Sequence, residues 1–403
     1  MTPYPRDDRR AQVLVVGAGP YGIAVAQELH CRGLDVVVIG RPFETWHRHT
    51  LDVMNLRSDP RGSSVWSPDA RFDFPTFLRR IGHTAGEHDI VPVSLFRRYL
   101  SEVEHQLPFP VVQGIVEELA SGNDGYGFEA LGRLDSRTKA RQIRSFRVSA
   151  DVAVIATGLG SHRHLPAAFR ELPADRVAHS WDTERIQATR SRRVLVVGTG
   201  QSAAESVLSL TTETENGPAN EVSWAVKRPP LFFREPLRLP TPLFKLVLAG
   251  SHLIYRLPPP ILRTLGKATF RTTITPTLKR VWLDPSVEKL TADAEGLGLT
   301  LEASGIRCRV DGRLYDQIVS ATGYRYSLLG LPFLSDPLAS RLGGADKPPA
   351  LAADFSCAVP DLYLVGGIAE PTHGPAMRFV LGARHAARRV GERLEARFQA
   401  QAA

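Results

Sequence analysis

The chain has 403 residues, including 33 glycines, 30 prolines and three cysteines, and a formal net charge of +8. That length allows two or three domains with an ample core. The basic residues are scattered rather than gathered into a stripe, and no stacking-aromatic motif accompanies them, so nucleic-acid binding is not expected and a phosphate-rich ligand explains the excess better. Cys31, Cys308 and Cys357 are far apart and form no CxxC pair. This argues against a disulfide framework or a redox-active dithiol and points to a reducing compartment. The first ten residues lack the apolar core of a signal peptide. No apolar run reaches the ~18–20 residues of a membrane span; the nearest, 243–257, is broken by Lys245, Gly250, His252 and Arg256. A cytoplasmic protein without membrane contact is expected.

The first motif in the chain is Val13-Leu-Val-Val-Gly17-Ala-Gly19-Pro20-Tyr21-Gly22, an apolar strand turning into the helical pattern Ile23-Ala-Val-Ala-Gln-Glu-Leu29. Here the first glycine permits the turn, the second lets backbone approach a pyrophosphate, and the third keeps helix and strand close. Free N–H groups and the helix dipole then hold the anion. The next strand, Val36–Ile39, usually ends in an acid that binds a ribose hydroxyl. This chain has Gly40-Arg41 there, and Glu44 is the candidate substitute.

Residues 42–100 read as irregular. They hold Trp46, His47, His49, Trp66 and Met54-Asn55-Leu56-Arg-Ser58. The stretch is either a polar-aromatic loop that cradles a flavin ring or a surface excursion. His47, His49, His83 and His88 match no common metal-ligand spacing, so no metal is expected. Residues 111–160 read as a small β meander ending in Asp151–Ala156, followed by Thr157-Gly158.

A second fingerprint, Val194-Leu-Val-Val-Gly198-Thr-Gly200-Gln201-Ser202-Ala203, lies about 180 residues after the first. Two such motifs suggest two dinucleotides held face to face, most economically a flavin reduced by a nicotinamide cofactor. The second strand of this unit, Glu221–Val226, is followed by Lys227-Arg228. A basic pair there suits a 2′-phosphate and hence NADPH, the bland alternative being a solvated turn. Residues 229–280 form a proline-, leucine- and phenylalanine-rich insertion that lines an apolar substrate entrance, touches a membrane surface or is plain core. Ala321-Thr322-Gly323 repeats the earlier Ala-Thr-Gly turn. The end of the chain carries Gly366-Gly367 after a short strand, then Pro371-Thr-His-Gly374-Pro375, then a helix from Val380 to about Arg397.

This order of parts resembles the two-dinucleotide-domain, class B-like flavin-dependent monooxygenases, a superfamily that includes flavin-containing monooxygenases, Baeyer–Villiger enzymes and ornithine/lysine N-hydroxylases. The resemblance rests on Gly17–Gly22, Met54–Ser58, Ala156–Gly158, Gly198–Ala203 and Ala321–Tyr324. The superfamily's FxGxxxH pattern is incomplete: residues 173–181 keep the histidine, His179, but lack the aromatic and the glycine. The resemblance implies an α/β fold of two Rossmann-like domains, the NADPH domain (166–311) inserted into a discontinuous FAD domain (1–165 and 312–403). It implies FAD at Gly17, Gly19, Pro20, Tyr21, Gly22, Glu44, Trp46, Asn55, Leu56, Thr157, Gly158, Thr322, Gly323, Gly366, Gly367 and Pro375, with Asn55 beside the flavin. It implies NADPH at Gly198, Gly200, Gln201, Ser202, Ala203, Lys227 and Arg228. The implied reaction is C4a-(hydro)peroxyflavin chemistry with O2 on a small, partly apolar organic substrate, at nitrogen or sulfur. Ketone oxygenation and an NAD(P)H oxidoreductase or oxidase without oxygen transfer remain as alternatives.

Overall fold

The computed structural model describes residues 7–83, 90–122, 127–135, 145–213, 219–229, 231–234, 261 and 274–402. Strand β1 (Asp7–Val16) feeds the first glycine turn and helix α1 (Pro20–Cys31), and β2 (Val36–Ile39) returns beside it. Pro20 opens α1 at the position where proline's missing N–H costs nothing. All four residues of β2 are buried, as expected for a parallel strand covered on both faces. After β3 (Asn55–Leu56), β4 (Val91–Pro92) and β5 (Val111–Val112) comes the meander β6 (Gly114–Ser121), β7 (Phe128–Leu134) and β8 (Ser145–Ile155).

The second unit carries β9 (Val177–His179), β10 (Arg193–Val197), β11 (Glu221–Val226), β12 (Glu288–Thr291), β13 (Leu299–Glu302), β14 (Gly305–Cys308), β15 (Leu314–Tyr315) and β16 (Gln317–Ser320); β17 (Leu362–Leu364) follows near the end. The first sheet runs β5-β2-β1-β8-β7-β6 with β17 on β8, and the second runs β12-β11-β10-β16-β9. The chain therefore leaves the first sheet after β8, builds the second, and comes back for β17. The protein has the expected α/β fold with one nucleotide-binding unit inserted into another.

The proposed boundary at residue 311/312 needs correction. Strand β16 pairs in parallel with β10 and β9 inside the second sheet, so the return to the first unit follows Ser320. Residues 42–100 also differ from the irregular stretch expected. They contain α2 (Glu44–Arg48), α3 (Phe74–Arg80) and the 13-residue α4 (Val93–His105). Helix α4 buries Val93, Phe96, Tyr99, Leu100 and Val103, a one-face helical spacing legible in the sequence.

The second sheet is covered on one face by a core that includes Ala203, Val207 and Leu210 of α5 (Gln201–Thr211) together with Leu51, which comes from the first unit. Its other face packs on Ile306, Cys308 and Tyr315 of the β13–β15 meander. The C-terminal helix Gly382–Ala402 packs its buried face into the first unit's core. Of the insertion at 229–280, the two ends meet: Arg234 N–H donates to the Ile274 carbonyl and Ile274 N–H to that of Phe232, both at 2.9 Å. Leu243, Leu246 and Leu248, like His88, lie outside the described residues. Among the described residues, no helix is long and apolar enough to cross a membrane.

Candidate functional site: two glycine turns and a cavity

At the first turn, a Cβ on Gly17 would sit 2.3 Å from the Ala156 carbonyl oxygen, and one on Gly22 1.8 Å from the Gly17 carbonyl oxygen. A Cβ on Gly19 would meet nothing within 4 Å. The first and third glycines are thus required by packing, and the middle one leaves backbone open to the space in front of α1. That space is a cavity of about 690 Å3, within the size range of cofactor sites. No side chain caps the start of α1 at Gly19, and the positive end of a helix favours an anion, so the residues present fit a dinucleotide pyrophosphate.

Several expected residues line this cavity: Gly17, Gly19, Pro20, Tyr21, Glu44, Trp46, Thr157, Gly158, Gly366 and Gly367. Gly22 lies behind the turn as a packing residue. Pro375 is not in the lining, but its neighbours Met377, Arg378 and Phe379 are. The Tyr21 hydroxyl donates to the Phe379 carbonyl at 3.0 Å and so ties the start of α1 to the Gly374–Phe379 turn.

Asn55 and Leu56 are not brought to the cavity. They pair with Pro92 and Val91, and Leu56 is buried in the first unit's core. Thr322 and Gly323 are also absent from the lining and instead brace the crossover between units. The Thr322 hydroxyl donates to the His164 carbonyl at 2.6 Å, and the Gly323 carbonyl lies 3.1 Å from His179 Nε2. Trp181 N–H donates to His179 Nδ1 at 3.1 Å. The two partners assign the Nε2–H tautomer, and burial holds the imidazole pKa below its ordinary value.

The lining also includes residues to which the sequence assigns no cofactor role: Arg41, His49, Trp181, Tyr326, Phe333 and Arg378. His49 stacks on Trp181 at 4.1 Å between centroids, and its Nδ1 lies 3.0 Å from the Trp181 carbonyl. No local motif marks these residues. His49 and Trp181 meet because the segment around Arg48 and Leu51 of the first unit packs on the second.

The second turn repeats the geometry of the first. A Cβ on Gly198 would lie 2.4 Å from the Ala321 carbonyl oxygen, so each Ala-Thr-Gly segment backs one fingerprint. Ala203 is fully buried, as its close-packing role requires. Gly200, Gln201 and Ser202 stand at the start of α5. The Gln201 amide donates to Glu205 at 2.9 Å and accepts from Thr275 N–H at 2.9 Å. Burial pushes the Glu205 carboxyl up to about 7, against the opposing bond from Gln201 and the charge of Arg57. Lys227 and Arg228 follow β11 directly, and Lys227 pairs with Asp293 at 3.2 Å.

Comparison with known proteins agrees with this architecture. Residues 90–245 match the family model of L-lysine 6-monooxygenase/L-ornithine 5-monooxygenase, and residues 10–57 match an FAD-binding domain model. The L-ornithine N(5)-monooxygenase of Burkholderia cepacia is 28% identical over 432 aligned positions, covering 90% of this chain and 89% of that protein. The ornithine hydroxylase of Pseudomonas aeruginosa superposes with a TM-score of 0.72 at 18% identity, over 96% of this chain and 98% of that one. The ornithine N-hydroxylase of Kutzneria sp. 744, in a structure described with reduced FAD, NADP+ and L-ornithine, gives 0.72 at 19% identity, over 96% and 99% of the two chains.

In sequence and in fold the chain is similar to the two-dinucleotide-domain flavin-dependent monooxygenases. The family models it matches are those of a monooxygenase and of an FAD-binding domain.

Proposed function

We propose that the protein hydroxylates the nitrogen of a primary amine on a small molecule, with FAD on the first glycine turn and NADPH on the second. The observation that carries this reading is the end-to-end alignment with an ornithine N-monooxygenase, covering 90% of the chain. The family model over 90–245, named for lysine and ornithine monooxygenases, supports the same reading.

In this reading the Gly17–Gly22 turn would hold the FAD pyrophosphate, with the open backbone at Gly19 and the dipole of α1 supplying the attraction, while Pro20 and Tyr21 border it. Trp46, Thr157, Gly158, Gly366 and Gly367 border the rest of the cofactor. Gly198, Gly200, Gln201 and Ser202 bind the NADPH pyrophosphate, and Arg228 meets its 2′-phosphate. Bound flavin would supply the oxygen chemistry and bound NADPH the reducing equivalents. The protein's part is to orient the two cofactors and exclude water from the reacting end, where Trp46, Trp181, Tyr326 and Phe379 present apolar surface.

The test is NADPH oxidation by the purified holoenzyme against ornithine, lysine, putrescine and cadaverine beside thioethers and ketones, under 18O2. One labelled oxygen in a hydroxylamine is expected. Label in a sulfoxide or a lactone moves the reaction to another atom, and peroxide as the sole product with every compound removes the oxygenase reading.

A further inference from the structure

The first fingerprint lacks the acid that usually ends β2, and the structure shows why none stands there. Gly40 has φ +146°, and a Cβ on it would lie 2.8 Å from the Ala18 backbone nitrogen. The segment after β2 closes onto the glycine turn: Gly17 N–H donates to Ile39 and Phe43 N–H donates to the Ala18 carbonyl, at 2.7 and 2.9 Å. Phe43 is fully buried and takes a left-handed conformation, which fixes where α2 begins. A ribose ligand therefore has to come from beyond residue 40.

Arg41 and Glu44 both line the cavity at this end. The Arg41 guanidinium reaches Asp135 through Nε at 2.7 Å and through a terminal nitrogen at 3.3 Å, and its other terminal nitrogen donates to Glu44 Oε1. All three side chains are less than one-third exposed, at 26, 17 and 31% for Arg41, Asp135 and Glu44. Planar bidentate pairing of this kind fixes orientation as well as charge. Glu44 is thereby held at the cavity by a guanidinium that is itself anchored on the end of β7.

We propose that the Arg41–Glu44–Asp135 cluster reads the adenosine ribose of the FAD on the first turn, with Glu44 accepting from the ribose hydroxyls and Arg41 as the positioning residue. The inference rests on the assignment of FAD to this turn. Two carboxylates against one guanidinium leave the cluster net negative, so it selects a free 2′-hydroxyl and rejects a 2′-phosphate.

The experiment titrates the flavin-free full chain with FAD and with an FAD analogue lacking the adenosine 2′-hydroxyl, read by flavin fluorescence, with thermal unfolding as the control for folding. Glu44→Gln is expected to raise the FAD dissociation constant roughly 10- to 100-fold, the loss of hydrogen bonds to a charged acceptor. The unsubstituted chain should lose a comparable factor with the deoxy analogue, and Glu44→Gln should lose little more. Arg41→Met should give an intermediate loss that Arg41→Lys partly restores. ADP-ribose should displace FAD better than its 2′-phosphorylated form. If Glu44→Gln binds FAD as tightly as the unsubstituted chain, or the phosphorylated competitor wins, the cluster does not read the ribose. If the unsubstituted chain binds no FAD, both this inference and the cofactor's assignment to the first turn are overturned.

Discussion

Gly17 lies so close to Ala156 that a Cβ on the glycine would sit 2.3 Å from the alanine's carbonyl oxygen. Gly17 also has φ +114°. The close approach brings the end of β8 to the turn that starts α1, so Thr157 and Gly158 reach the cavity. Gly19 has extended backbone, and its Cβ position is open.

The two glycines are therefore expected to fail differently. Gly17→Ala should destabilise the flavin-free protein by on the order of 3 kcal/mol, through backbone strain and overpacking. Gly19→Ala should leave the flavin-free unfolding temperature unchanged and weaken FAD, because the added methyl occupies the space in front of α1. Thermal unfolding without flavin, paired with FAD titration, separates the two effects. Equal unfolding temperatures for both variants would contradict the packing role given to Gly17.

Glu205 gives stability a pH dependence. Its folded pKa is raised to about 7 by burial, from an unfolded value near 4.5. The native state then holds a proton that the unfolded chain has released. The carboxyl's contribution is fully present below about pH 4.5 and is lost as pH rises through about 7. The total is on the order of 3 kcal/mol. Glu205→Gln keeps an acceptor for the Gln201 amide and removes the titration. Its unfolding temperature, followed from pH 5 to 9, should fall less on the alkaline side than that of the unsubstituted protein. Parallel pH profiles for the two proteins would show that Glu205 does not titrate in this range.

Both fingerprints, β2, β11 and the Ala-Thr-Gly turns were legible because each depends on local pattern: an apolar run, fixed glycines, then helical spacing. The boundary after Ser320 was not. Strand β16 is four buried residues, Gln317–Ser320, and no local feature says which sheet it joins. Helix α4 is legible in its one-face spacing, although the prolines and tryptophans around it mask the pattern. Arg41 was visible only as a departure from the usual acid. Its pairing with Asp135, 94 residues on, is a tertiary fact. So is the meeting of His49 with Trp181 across the two units. Asn55 was placed near the flavin by resemblance alone, whereas its β3 pairing with Pro92 depends on how the 42–100 segment folds.

Phe96 links core packing to the cavity. It is fully buried on α4 and meets Trp46 edge to face at 4.7 Å between centroids. Trp46 lines the cavity. Phe96→Ala should cost about 3–5 kcal/mol of stability and leave Trp46 without its edge contact. Phe96→Leu should recover most of the stability while still weakening FAD, as read by flavin fluorescence at a temperature where the variant is fully folded. Unchanged FAD affinity in Phe96→Leu would separate Trp46 from cofactor binding.

Lys227 and Arg228 occupy the end of β11, but they differ in their commitments. Lys227 already pairs with Asp293. Arg228 is thus the better placed of the two to meet a 2′-phosphate. Loss of one charge-assisted phosphate contact costs about 1.5–3 kcal/mol, or roughly 10- to 100-fold in binding. Arg228→Ala should raise the apparent constant for NADPH by that factor and leave the constant for NADH nearly unchanged. Lys227→Ala should have a smaller effect on NADPH, since the exposed ammonium is shared with a carboxylate and screened by water. Adding salt should narrow the gap between NADPH and NADH in the unsubstituted enzyme, because the contact lies at the surface. Steady-state NADPH and NADH oxidation at two ionic strengths measures all three. Equal losses for both nucleotides in Arg228→Ala would show that the residue supports the turn rather than the phosphate, and a larger loss in Lys227→Ala would transfer the role to Lys227.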